Sequence, residues 1–148
     1  MQRIVAAVDG SAPSLKAVDL AADLASKYDA ELILFTNGRE FSPVIDRELE
    51  SYARSEHIET LGSDVGVAAA ETVLAGARLT ARAKGATRIE TNSAFGDPAG
   101  EIIALAGERQ ADLIVIGSRG HGQLAGLLLG SVAQKVLAHA ACPVLVVR

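Results

Sequence analysis

The sequence is poor in the residues that staple a protein, give it aromatic bulk or anchor it. It holds a single cysteine, Cys142, so no intrachain disulfide can form. It has no Cys-x-x-Cys pair and no Cys/His spacing suited to a metal. Tryptophan is absent and aromatic residues make up only 3%, so a core must be built from Ala, Val, Leu and Ile. Small aliphatic side chains suit a parallel sheet with helices packed closely on both faces. Positive charge is not in excess. The formal net charge of −4 argues against a nucleic-acid partner held by a basic surface. A nucleotide ligand stays open, because helix amino termini and backbone N–H groups hold phosphate without net positive charge. No run of about 18 apolar residues occurs, so no transmembrane helix and no membrane partner are expected. The opening Met1-Gln2-Arg3-Ile4-Val5 enters a strand-like run without the tripartite layout of a secretory leader. A cytoplasmic protein is the expectation.

What is present suffices for one domain. The chain has 148 residues, of which 49% are apolar, enough for a core without staples. No internal repeat, linker or low-complexity segment divides it, so residues 1–148 are read as a single domain.

Residues 3–8, 31–36, 112–116 and 144–147 are short, mostly continuous apolar runs rich in Val, Ile and Leu. That is the pattern of strands covered on both faces. Residues 87–91 form a fifth run, with Arg88 and Glu90, and read as an edge strand. Between them lie helical stretches. Residues 11–27 place Leu15, Val18, Ala22 and Ala25 on one face, with Ser11 and Ser14 as candidate caps. Residues 64–84 are Ala-rich and stop at Gly85. Asp97-Pro98 is a cap followed by proline in the first helical position, opening a helix to about residue 110 with Ile102, Ile103 and Leu105 inward. The last helix covers residues 131–139. Residues 37–62 are the least regular part and read as a loop entering a helix at about 44–57. The order β-α-β-α-β-α-β-α-β implies an α/β, doubly wound parallel sheet with right-handed crossovers.

In such a sheet ligands sit beyond the carboxyl ends of the strands, where strand order reverses. After the first strand comes Asp9-Gly10-Ser11. After the fourth comes Gly117-Ser118-Arg119-Gly120-His121-Gly122, and then, past Leu129, Gly130-Ser131 and the last helix. Gly117 and Gly120 let the backbone turn tightly and approach a ligand. Gly130 and Ser131 stand at a helix amino terminus, where free N–H groups and the dipole favour an anion. Asp9 can accept from a ribose hydroxyl or an adenine amine, or help hold a metal. Each feature also has a plain reading: the glycines as turns, Ser131 as an N-cap, Asp9 as a cap of the first helix. The Walker pattern GxxxxGK[ST] and the fingerprint GxGxxG after the first strand are both missing. Near the loop, Arg119 and His121 are the only cations. A strong phosphoryl-transfer catalyst is therefore not evident, and no catalytic or metal-ligating residue is assigned.

With Asp9 after the first strand and Gly-x2-Gly-x9-Gly-Ser after the fourth, the chain resembles the universal stress protein family. The likeness spans the whole chain. It includes Ile4-Val5-Ala6-Ala7-Val8-Asp9-Gly10-Ser11, Gly96-Asp97-Pro98, the run from Ala111 to Gly120, and Cys142-Pro143-Val144-Leu145-Val146-Val147. The resemblance implies a five-stranded parallel sheet of order 3-2-1-4-5 with helices on both faces, a Rossmann-like layout of the adenine nucleotide alpha hydrolase type. It implies ATP binding, with Mg2+ as a possible companion. Asp9, Ala7, Asn37, Ile116 and Gly117 would serve adenine and ribose. Gly120, Gly130, Ser131 and Val132 would serve the phosphates, and Arg119 would line the loop. It also implies a homodimer through the last strand, Pro143, Val144, Leu145, Val146 and Val147. In one departure, Thr36-Asn37 stand where the family usually carries a His-Val pair. Asn37 can hydrogen-bond base or ribose, or leave the adenine less well packed.

Other reactive residues are set aside. Cys142 leads into an apolar strand and reads as a structural thiol. His57 and His139 lack a partner at ligand spacing, and His121 reads as a solvated loop residue. Lys135 and the charges within residues 46–59 read as solvated faces. Three functions compete. One is an ATP-binding regulatory module of the stress response. The second is a slow ATPase on the same loop. The third is a nucleotide-independent, chaperone-like dimeric scaffold. The first is favoured because a binding loop is present and a clear general base is not. A phosphorylation-receiver domain is rejected, since clustered acids after the first strand and a lysine after the fifth are missing.

Overall fold

The computed structural model describes residues 1–41, 59–120 and 129–148. In chain order these form β1 (Arg3–Ala7), α1 (Ala12–Tyr28), β2 (Glu31–Asn37), a 3-10 turn (Gly38–Phe41) and α2 (Glu59–Ala83). They continue with β3 (Ile89–Ala94), α3 (Pro98–Glu108), β4 (Leu113–Gly117), α4 (Ser131–His139) and β5 (Val144–Val147). All strand pairs are parallel, and the sheet order is β3-β2-β1-β4-β5. β1 and β4 are therefore neighbours although three strands apart in sequence order, and the chain reverses direction across the sheet between them. The expected loop or helix at 44–57, His57 and His121 lie outside the described residues.

Strand alternation sorts the apolar residues onto two faces. Ile4, Ala6, Val8, Leu32, Leu34, Leu113 and Val115 pack under α1 and α2. Val5, Ala7, Ile33, Phe35, Ile114 and Ile116 pack under α3 and α4. Alanines at Ala17, Ala21, Ala22 and Ala25 of α1, all buried, let that helix lie close on the sheet. The buried face of α1 is thus Ala17-Val18-Ala21-Ala22-Ala25, with Ser14 at its start. Leu15, expected on that face, is 48% exposed, because the true stripe is centred one position away and needs small residues.

The helix ends follow the local chemistry. Ser11 caps α1, accepting from the Ser14 N–H at 3.4 Å, with Pro13 in the first turn. Ser14 is not a cap: its buried hydroxyl donates to the Ser11 carbonyl at 3.0 Å. Asp97 caps α3 by accepting from Gly100 N–H at 2.9 Å, with Pro98 behind it. Gly85 takes φ +95 just past the end of α2, a conformation open to glycine at no steric cost.

Two strands differ from the sequence reading. β3 begins two residues later than expected and runs on through Asn92, Ser93 and Ala94. Pairing decides this: β2 extends to Asn37, which lies opposite Ala94, and an edge strand tolerates the polar residues. β5 pairs with β4 alone and is half-buried throughout, so it is an edge strand and not one covered on both faces. Cys142, just before it, is partly buried, and burial raises its thiol pKa, which suits the structural role.

At the amino end of the sheet, the Asp112 carboxylate accepts from the backbone N–H of Gln2 at 2.6 Å and of Arg3 at 3.0 Å. These bonds hold its pKa below the usual carboxylate range, with Gln2 the larger cause. A depressed folded-state pKa contributes stability that is complete above the unfolded value of about 3.9 and is lost as pH falls through the folded value. Stability is expected to drop as pH falls below about 4. In Asp112→Asn that acid-dependent loss, followed by urea unfolding, should be smaller. Equal losses in both proteins would refute this role for Asp112.

Candidate nucleotide-binding cleft

At the carboxyl ends of β1, β2 and β4, directly over the switch point, lies a cleft of about 280 Å3. The first turns of α3 and α4 close its far side. All ten residues singled out from the sequence line it. β1 and the turn after it contribute Ala7 and Asp9, and β2 contributes Asn37. β4 contributes Ile116 and Gly117, followed by Arg119 and Gly120. The start of α4 contributes Gly130, Ser131 and Val132.

Gly130 is the N-cap of α4, with extended backbone (φ −73, ψ 164), and no side chain caps the helix. The alternative reading of Ser131 as the cap is corrected: Ser131 is the first helical residue. α4 therefore starts at the cleft with first-turn N–H groups that no capping side chain satisfies. The positive end of its dipole faces whatever occupies the space. The Gly130 N–H itself donates to the Ser118 carbonyl at 2.6 Å, tying the helix start to the end of β4.

The glycines owe their places to packing, not to a turn. Neither Gly117 nor Gly120 has a positive φ. A Cβ on Gly117 would lie 2.9 Å from the Pro13 carbonyl carbon and the Ser14 nitrogen, since the first turn of α1 crosses there. A Cβ on Gly120 would lie 2.5 Å from Asp9 Oδ2. Asp9 needs that room. Its Oδ1 accepts from Ser11 N–H at 2.8 Å, so it organises the turn into α1 while lining the cleft. The reading of Asp9 as the cap of α1 is corrected: Ser11 is the N-cap, and Asp9 acts one step earlier, on the Ser11 N–H. Asn37 is 3% exposed. Its amide donates to the Gly96 carbonyl at 2.8 Å and accepts from Arg39 N–H at 2.9 Å. It pins β2 to the corner before α3 and uses about half of the amide's hydrogen-bonding capacity.

Sequence reasoning missed seven lining residues: Val8, Ser14, Phe35, Pro98, Ile102, Ser118 and Ala133. The period of two was the available signal for some of them. Phe35 stands two before Asn37, and Ser118 two after Ile116. With Ala7, Phe35, Ile102, Ile116 and Val132, one part of the cleft is apolar. The helix start, Ser118 and Arg119 make another part polar. Lys135 is exposed and sits 3.6 Å from Asp97, outside the lining. Among the described residues no group of three or more His, Cys, Asp or Glu could hold a metal.

The family profile described as "Universal stress protein family" matches residues 1–148. The chain belongs to the universal stress protein family. The universal stress protein YxiE of Bacillus subtilis is 38% identical over 148 residues, covering 99% of this chain and 98% of that one. A crystal structure of a universal stress protein in complex with cAMP is 33% identical, with a TM-score of 0.72, and covers 99% of this chain and 96% of that one. The universal stress protein UspA from Lactobacillus plantarum shares the fold with a TM-score of 0.80 at 24% identity, over 99% and 97% of the two chains. The strand order 3-2-1-4-5 and the helices on both faces match these universal stress protein structures.

Proposed function

We propose that this universal stress protein binds ATP in the cleft and acts as a nucleotide-responsive regulatory module of the stress response. The observation that carries the reading is the convergence of ten residues from four separate segments on one cleft, between an apolar wall and a helix start without a capping side chain. The apolar wall suits a base, and the helix start suits phosphate. The similar universal stress protein with bound cAMP supports an adenine nucleotide as the class of ligand.

A binding module fits better than an ATPase. Phosphoryl transfer needs positioned cations and a group that orients the nucleophile. Among the described lining residues Asp9 is the one carboxylate, and it already accepts from Ser11 N–H. If Mg2+ accompanies the triphosphate, Asp9 is the side chain at hand to meet it, and the ion would neutralise phosphate charge. The proposal extends to assembly and setting. β5 offers a half-buried apolar edge, Val144 to Val147, paired on one side only, which a second copy of the chain would cover. The proposed setting is the cytoplasm; among the described residues no helix is long and apolar enough to cross a membrane.

Calorimetric titration of nucleotide-stripped protein with ATP and Mg2+ tests the reading. Binding with a Kd in the micromolar range, about 8 kcal/mol, is the expected result. No heat and no shift of the thermal midpoint with ATP would turn the reading toward a nucleotide-independent dimeric scaffold.

A further inference from the structure

Among the described residues one buried side-chain nitrogen or oxygen has no hydrogen-bond partner, Arg78 Nε. Arg78 stands on α2 beside Ala77, between Leu74 and Ala81, and those three are buried against the sheet. Its side chain therefore leaves the border of the buried face and reaches the outermost strand, β3. There its Nη2 donates to the Ile89 carbonyl at 3.2 Å. Buried donors are almost always satisfied. An arginine on a helix flank can turn its guanidinium to water, so one held inward with an unsatisfied nitrogen calls for a reason beyond packing.

The register supplies that reason. The Leu32 N–H donates to the Arg88 carbonyl at 2.8 Å, and Leu32 lies opposite Ile89. In a parallel pair this arrangement points the backbone groups of Arg88, Glu90 and Asn92 toward β2. Those of Ile89, Thr91 and Ser93 point the other way, to the free edge. The Ile89 carbonyl held by Arg78 is thus the first acceptor of an edge open to strand addition. Thr91, Asn92 and Ser93 on that edge are uncharged, and β3 contains no proline to prevent pairing.

The strand that fits is β3 of a second copy. In an antiparallel pair about a dyad at Thr91, Thr91 meets Thr91, Ile89 meets Ser93 and Glu90 meets Asn92, so no like charges oppose. Each Ile89 carbonyl would accept from the partner's Ser93 N–H. That is the bond Arg78 pre-empts, once in each copy.

We propose that Arg78 is an edge guard, an autoinhibitory contact that closes β3 to the β3 of a second copy. β5 is the other edge of the sheet. A chain that pairs through both edges extends from copy to copy without closing, whereas a guarded β3 leaves a single edge for pairing. The inference rests on β3 alone and holds whether or not copies meet through β5.

The test compares parent, Arg78→Met and Arg78→Met/Thr91→Pro by gel filtration with light scattering over a range of concentrations. Methionine keeps the apolar stem and removes the guanidinium. One carbonyl is released in each copy, so β3 pairing should tighten about fivefold for each, and Arg78→Met should gain mass with concentration above the parent. The Thr91 N–H faces the free edge, so the added proline takes no bond from the β2–β3 ladder. The double variant should return to the parent's mass. Thr91→Cys in a Cys142→Ala background locates the contact: a short bismaleimide should join two copies when Arg78→Met is added, and not when Arg78 is present. The thermal midpoint of Arg78→Met should equal or exceed that of the parent, since the unsatisfied donor is gone. Parent-like mass for Arg78→Met at every concentration overturns the proposal, and a lowered midpoint beside it would assign Arg78 to packing alone. Association that persists in the double variant also overturns it, by placing the contact on another surface. So does equal cross-linking with and without Arg78.

Discussion

Gly130→Val should cost the protein most of its affinity for ATP while leaving it folded. The backbone at Gly130, φ −73 and ψ 164, lies in a region open to any residue, so valine imposes no backbone strain. Its side chain would instead stand at the start of α4, on the lining of the cleft. Two branched methyl groups there would keep a phosphate away from the first-turn N–H groups. Forcing extra atoms into a fitted space costs about 1–3 kcal/mol, and each 1.4 kcal/mol is about tenfold in affinity. Valine is also a poorer N-cap than glycine, which lowers stability by up to about 1 kcal/mol. The calorimetric titration must therefore be run well below the unfolding temperature of the variant. Equal ATP affinity in parent and variant would remove the phosphates from this corner.

Gly117→Ala should destabilise the protein even without any nucleotide. The added Cβ would lie 2.9 Å from two backbone atoms of the first turn of α1, and 3.0 Å from Pro13 Cβ. Backbone cannot rotate away as a side-chain tip can, so α1 or β4 must shift. α1 packs its alanine face against β1, β2 and β4, so a shift at its start propagates into the core. Overpacking of this kind costs about 1–3 kcal/mol, or a fall of about 2–4 °C in Tm for each kcal/mol at this chain length. Thermal and urea unfolding of the unliganded protein measure it. An unchanged midpoint would mean that the helix accommodates the methyl group and that Gly117 serves some other need.

These two glycines belong to one sequence pattern but act differently, which shows where sequence reading stops. Spacing placed both Gly117 and Gly130 near a ligand. It could not show that Gly117 is required by a helix that starts over a hundred residues earlier, because nothing local records that crossing. Leu15 was misplaced for a related reason. Its spacing fits an apolar stripe, but the sheet accepts only the alanine-lined face of α1. Asn37 was placed at the cleft, and half of its amide's hydrogen-bonding capacity is taken by Gly96 and Arg39. A hydrogen bond spanning 59 residues leaves no local signature.

By itself, the sequence determined what depends on near neighbours along the chain. Apolar runs set the strands of the central sheet, and Ser11, Asp97 and Gly85 set helix ends, because capping is decided within a few residues. Alternation of strand and helix set a parallel sheet, and the Asp9 and glycine spacings marked the segments of the cleft. Tertiary structure alone decided what depends on distant partners: the extent of β3, set by the register of β2; the half-covered state of β5; and the steric role of Gly117. Burial and hydrogen-bond pairing are properties of the assembled surfaces, and they exist only once segments far apart in sequence have been brought together.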